Sequence, residues 1–189
     1  METQSTSYLK GQFLLAMPGL ADPNFAKTVT CICEHTKDGA VGISVNRLGA
    51  VIFGKDLFEG LNIEYSQDAA AIPIYIGGPV HMGEIFILHG PPLNWRGSYQ
   101  ITSSLAMSRS TDIIEAIAID QGPRSFLMTL GCAGWGPGQL ESEIMENVWL
   151  ISPIAEEIIF DTPVEMRWET AVNKLGIDPD MLSNTAGHA

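Results

Sequence analysis

Apolar residues along this chain fall in short runs, and the residues between the runs mark where elements begin and end. Gln12-Phe13-Leu14-Leu15-Ala16-Met17 is unbroken and stops at Pro18, which predicts a strand covered on both faces. Val29-Thr30-Cys31-Ile32-Cys33 is β-branched and apolar, a second strand. Lys37-Asp38-Gly39 supplies a hairpin turn, since Asp-Gly tolerates the backbone a tight reversal needs, and the chain returns over Ala40 to Asn46. A short helix is expected within Phe53 to Leu61. Strands are expected over Ile72 to Ile76, Glu84 to His89 and Ser98 to Ser103. Ile113, Ile114, Ile117 and Ala118 recur at helical spacing behind Ser110 and Thr111, so a helix runs to Ile119. Arg124 to Leu130 reads as a strand, Gly131 to Gly138 as a glycine-rich connection, and Gln139 to Glu146 as a helix with carboxylates near its positive end. Ser152-Pro153-Ile154-Ala155-Glu156 and Thr162-Pro163-Val164-Glu165 both match the capping box with proline at the first helical position, and Gly176 closes the second helix.

Strands and helices without a long linker, a repeat or a low-complexity tract describe one domain over residues 1–189. Residues 1–10 are expected to form an N-terminal arm and 177–189 a C-terminal tail. A chain of this length builds its core without disulfides or a metal. Three cysteines, Cys31, Cys33 and Cys132, are an odd number behind a start that lacks a secretory pattern. Reduced thiols and a cytoplasmic location are therefore expected. The apolar runs are too short and too interrupted by proline to span a bilayer.

Charge changes the functional picture. Ten Lys and Arg stand against 22 Asp and Glu, a formal charge of −12. Polyanion binding rests on clustered cations, and the basic residues here are scattered. Direct contact with nucleic acid or an anionic membrane is disfavoured, and cationic or neutral partners are favoured.

Several phrases together resemble one family. They are Gly11-Gln12-Phe13-Leu14-Leu15-Ala16-Met17-Pro18 with Asp22-Pro23-Asn24-Phe25; Cys33-Glu34-His35 with Gly39-Ala40-Val41-Gly42 and Val45-Asn46-Arg47; and Gly77-Gly78-Pro79-Val80 with Phe86-Ile87-Leu88-His89. The most specific is Gly131-Cys132-Ala133-Gly134-Trp135-Gly136-Pro137-Gly138-Gln139-Leu140-Glu141, with Asn147 and Trp149 beyond it. In these the chain is similar to the AlgH/YqgE family of bacterial proteins over nearly its whole length. The resemblance implies an α/β (α+β) fold: one domain with a mostly antiparallel, bifurcated sheet curled into a partial barrel and flanked by helices. It also implies the label of transcriptional regulator, attached without an agreed biochemical activity. Leu48 stands where the family usually has Pro, and Cys132 where it usually has Tyr.

Candidate chemistry gathers in two places. Cys31, Cys33 and His35 alternate along a strand, so regular pleating puts them on one face. Thiolates and imidazole are zinc ligands, but neighbours on that face stand roughly 6–7 Å apart, so a shared ion needs a bend and a fourth ligand. Packing is the plainer reading for the cysteines. Cys33 with His35 also has the composition of a nucleophile and its base, without a recognisable catalytic context; His35 could equally cap the hairpin turn through Asp38. The second place is the Gly134-Trp135-Gly136-Pro137-Gly138-Gln139 connection, where helix amides invite an anion but Glu141 and Glu143 repel one. A tight turn with Trp135 packed is the alternative. The composite expectation is a ligand or partner groove formed by Cys33, His35, Asn46, Trp135, Gln139 and Glu141. No catalytic residue, cofactor or metal is assigned. A non-enzymatic regulatory or adaptor protein binding another protein or a small ligand comes first. An enzyme using a Cys33/His35/Asn46/Trp135 cleft is second, and direct DNA binding last.

Overall fold

The computed structural model describes residues 8–182. Ten strands run in chain order as β1 (Gln12–Ala16), β2 (Val29–Thr36), β3 (Gly39–Ser44), β4 (Leu48–Phe53), β5 (Pro73–Ile76), β6 (Val80–His89), β7 (Tyr99–Gln100), β8 (Ala106–Ser108), β9 (Phe126–Trp135) and β10 (Trp149–Pro153). Six helices accompany them: α1 (Gly54–Gly60), α2 (Gln67–Ala70), α3 (Thr111–Ala118), α4 (Gln139–Met145), α5 (Glu156–Phe160) and α6 (Arg167–Lys174). The strands form one curled, mostly antiparallel half-barrel sheet in the order β10-β1-β2-β3-β9-β6-β8-β7, with β5 and β4 branching from β9.

β9 is the branch point. Its first half pairs with β6 on one side and runs parallel to β5 on the other, with Tyr75 opposite Thr129; its second half leaves β5 and pairs with β3, Ala133 opposite Gly42. Gly131, at φ +73°, marks the switch. The sequence reading ended this strand at Leu130 and made Gly131 to Gly138 a connection. The ladder with β3 instead carries it to Trp135, and the loop begins at Gly136. Glycine was mistaken for loop, whereas Gly77 and Gly78 come so close to Gly131 and Cys132 that a Cβ on either would lie 2.2 Å from their backbone atoms.

Side chains alternate off the sheet into separate cores. Phe13, Leu15, Cys31, Cys33, Ile43, Leu88 and Leu127 face one way, closed by Ile158, Ile159, Trp168 and Val172 of α5 and α6. Leu14, Ile32, Ala40, Ala133 and Trp135 face the other way, beneath Leu140 of α4. Phe58, Ile74, Ile87, Ile113, Ile117 and Met128 form a third cluster under α1 and α3. Cover on both faces is why β1 reads as a continuous apolar run.

Other expectations are corrected. Ser152 and Pro153 lie in β10, which pairs with β1 from Trp149 to Pro153; this ladder outweighs the capping motif, and proline suits an edge strand's end. Thr162-Pro163 opens no α-helix either. A single 3₁₀ turn, Val164–Met166, intervenes before α6, and the Thr162 hydroxyl donates backwards to the Glu157 carbonyl. Gly176 does follow the end of α6 at φ +74°. The Ser98 to Ser103 strand shrinks to β7. Strand β4, helix α2 and strand β8 had no counterpart in the sequence reading. Residues 1–7 and 183–189 of the expected arm and tail lie outside the described residues. Within the described part, Leu9 is buried, and Ile177 and Leu182 pack on the first core. Leu48 begins β4, exposed and opposite Tyr75.

Candidate functional site

Four of the six proposed groove residues meet where β2, β9 and α4 converge. Pairing of β2 with β3 slips between Ile32 and Glu34, a bulge that leaves Cys33 without a partner. The extra residue reverses the alternation beyond it. Cys33 stays in the first core while His35 turns to the opposite face, towards α4. Cys31, Cys33 and His35 therefore do not share a face, which removes both the shared zinc site and the nucleophile–base pair. Contact with Cys31 and complete burial hold the Cys33 thiol well above its ordinary pKa, and burial pushes the Cys132 thiol up as well. Both are packing thiols rather than ready nucleophiles. Asn46 is also elsewhere. It lies beyond the end of β3 remote from the turn, accepting the Val29 N–H at 2.8 Å and donating to the Lys27 carbonyl at 2.9 Å.

His35 holds a defined tautomer. The Leu9 N–H donates to Nδ1 at 3.1 Å, so the proton is on Nε2, which donates to Glu141 at 2.9 Å. The expected cap through Asp38 is not made; the Asp38 N–H meets the Thr36 hydroxyl instead. The His35 side chain is 1% exposed and that of Glu141 35%, so the imidazole is a buried support and the carboxylate is the accessible group. Tyr8 stands edge-on to His35, ring centroids 5.4 Å apart.

Glu143, two residues further along α4, faces a different way. One of its oxygens accepts both the Trp135 and Trp149 indole N–H groups, at 2.9 and 2.7 Å, and the other accepts from Gln139 at 2.9 Å. The Gln139 carbonyl oxygen in turn accepts the Gly136 N–H at 3.0 Å, tying the loop to the helix. Phe25 closes an aromatic group with the two tryptophans, 6.3 Å from Trp135 and 5.7 Å from Trp149. The groove expected from the sequence did not include Glu143, Trp149, Phe25 or Tyr8. The available signal was Gln139 and Glu143, four apart on one helix face between two tryptophans.

An open groove of about 600 Å³ runs along the hairpin tip beside this cluster, lined by Tyr8, Glu34, His35, Lys37, Asp38 and Trp135 among others. Glu34 and Asp38 outnumber Lys37 there, and Glu141 adjoins through His35. The seven-residue α4 already carries the Glu141 carboxylate in its first turn, and that charge repels any further anion there.

Comparisons with known proteins agree with this architecture. A UPF0301 protein of Desulforapulum autotrophicum is 48% identical over the full length of both chains. A UPF0301 protein of Thioalkalivibrio sulfidiphilus is 44% identical over 98% of this chain and 99% of its own. The solution structure of the AlgH protein from Pseudomonas aeruginosa superposes with a TM-score of 0.79 at 41% identity, covering all of both chains. The crystal structure of DIP2367 from Corynebacterium diphtheriae, at 20% identity, TM-score 0.70 and 88% and 86% coverage, shares the fold. The AlgH-like family model matches residues 13–180, and on that match and these relatives the chain belongs to the AlgH-like family.

Proposed function

We propose that this is a cytoplasmic, non-enzymatic binding protein, an adaptor or indirect regulator. In this reading the groove beside His35 and Trp135 receives a protein segment or small ligand with a cationic or neutral face. The observation that carries the reading is the division of labour around α4. Glu143 and Gln139 are consumed in holding Trp135 and the loop, while Glu141, its side chain 35% exposed, is held by the buried His35 that lines the groove. A carboxylate held in place by neighbours meets a partner without losing much side-chain freedom. The enzyme alternative needed Cys33, His35, Asn46 and Trp135 in one cleft, and Cys33 and Asn46 are not there.

The test is a titration of ¹⁵N-labelled protein with an arginine-rich and a glutamate-rich peptide of equal length. Amides of residues 34–41 and the Trp135 indole are expected to shift with the basic peptide only. The double variant Glu34→Gln/Asp38→Asn should weaken the effect several-fold, because rim charges set encounter and orientation. Equal shifts with both peptides, or shifts confined to another face, would overturn the reading.

A further inference from the structure

We propose that a second cleft, sharing no lining residue with the groove above, binds a small zwitterion: an α-ammonium and a carboxylate on an apolar body, as in a free branched amino acid. The cleft measures about 450 Å³, within the range of small-molecule sites. Its apolar surface is Leu61 and Ile63 from the segment after α1, Ile85 of β6 and Ile114 of α3. Its charged groups are Arg109, just ahead of α3, with Glu84 and Glu115.

The mouth is shaped by a lapse in pairing. Between Val80 and Ile85, β6 loses register with β9, which lifts Glu84 out of the ladder. Glu84 is then bracketed. One oxygen meets the His81 Nδ1 at 3.0 Å and the other is paired with Arg109. Arg109 is itself seated over the Phe86 ring, 4.9 Å from its centroid. A guanidinium and a carboxylate thus stand side by side at the rim of an apolar floor, each partly exposed and each paired with the other.

The chemistry of the ligand follows from exchanging that pair. An incoming carboxylate takes the two-pronged face of Arg109, and the Glu84 it displaces accepts the ligand's ammonium, so each member of the pair regains a partner and the net charge of the cleft is unchanged. An anion alone would sit on Arg109 with both Glu84 and Glu115 against it. A cation alone would forgo the strongest donor in the cleft. An apolar side chain of the ligand lies on Ile63, Ile85 and Ile114 and supplies the rest of the binding.

The experiment compares L-leucine, 4-methylpentanoate (no ammonium) and 3-methylbutylamine (no carboxylate) by chemical-shift titration of the full chain. Leucine should give saturable shifts at residues 61–63, 84–85 and 109–115, and each truncated analogue should bind at least about tenfold more weakly. Arg109→Met and Glu84→Gln, both at solvent-accessible positions, should each weaken leucine by about tenfold or more. Three outcomes overturn the proposal: equal binding of all three compounds, no saturable shift up to about 20 mM, or shifts gathered at the hairpin groove instead. The ligand series on the unaltered protein decides the matter even if a variant fails to fold.

Discussion

His35 and His89 are both buried, yet their surroundings select opposite tautomers. His35 accepts at Nδ1 and donates from Nε2. His89 must donate from Nδ1, because its partner at 2.8 Å is the Gly90 carbonyl, and so it accepts the Ser108 hydroxyl at Nε2, 2.9 Å away. Burial lowers the His89 pKa, partly offset by that carbonyl. The consequence for stability has a definite sign. The unfolded chain takes up a proton near the ordinary value of about 6.5, while the folded chain resists it to lower pH. The contribution is therefore complete above about pH 6.5 and is lost as the pH falls towards the folded pKa, at about 1.4 kcal/mol for each unit separating the two. Urea unfolding between pH 7.5 and 5.5 should show the native protein losing more stability than His89→Gln. Parallel curves for the two proteins would refute this.

The switch in β9 is the element on which the branched sheet turns. At Gly131 the backbone is left-handed, and an added Cβ would sit 2.5 Å from the Gly78 carbonyl oxygen and 3.0 Å from that of Val80. Neither contact can yield without moving the strand. Gly131→Ala should cost about 3 kcal/mol, a fall in Tm of roughly 10 °C for a domain of this size. Gly83→Ala, where no atom lies within 4 Å, should change stability by less than about 0.5 kcal/mol. A calorimetric comparison of the two variants checks both. The same glycine explains what the sequence could and could not reveal. The β2–β3 hairpin was legible because Asp38-Gly39 and the β-branched run act locally. The extension of β9 was not, because Gly131 and Gly134 resemble loop until β3 and β6 are seen beside them. Of the six residues expected to form a groove, His35, Trp135, Gln139 and Glu141 do lie together, since their strands and helix are neighbours. Cys33 was misplaced by a bulge that leaves no mark on the apolar pattern. Asn46 was misplaced because six residues of β3, at about 3.3 Å each, separate it from the turn.

At the scale of the whole molecule, the charge of −12 is reinforced by where the few cations go. Arg109 is paired with Glu84, Lys174 with Glu157 and Lys55 with Glu59. Arg47 donates to the Asn24 carbonyl, and Arg167 is buried against the Val45 and Thr162 carbonyls. A polyanion would have to take these side chains from acceptors already in place, against a net repulsive field. Affinity for DNA grows with the number of phosphates neutralised, and even sequence-independent binders reach only about 10⁻⁴–10⁻⁶ M at physiological salt. Mobility-shift assays at about 150 mM salt should therefore show no discrete complex with duplex DNA at about 10 µM protein. Lowering the salt to about 20 mM should produce at most smeared, sequence-independent retardation. A sharp complex that survives the higher salt and depends on sequence would mean that the surface presents a cationic patch these pairings do not account for. In that event the protein would be a direct regulator rather than an adaptor.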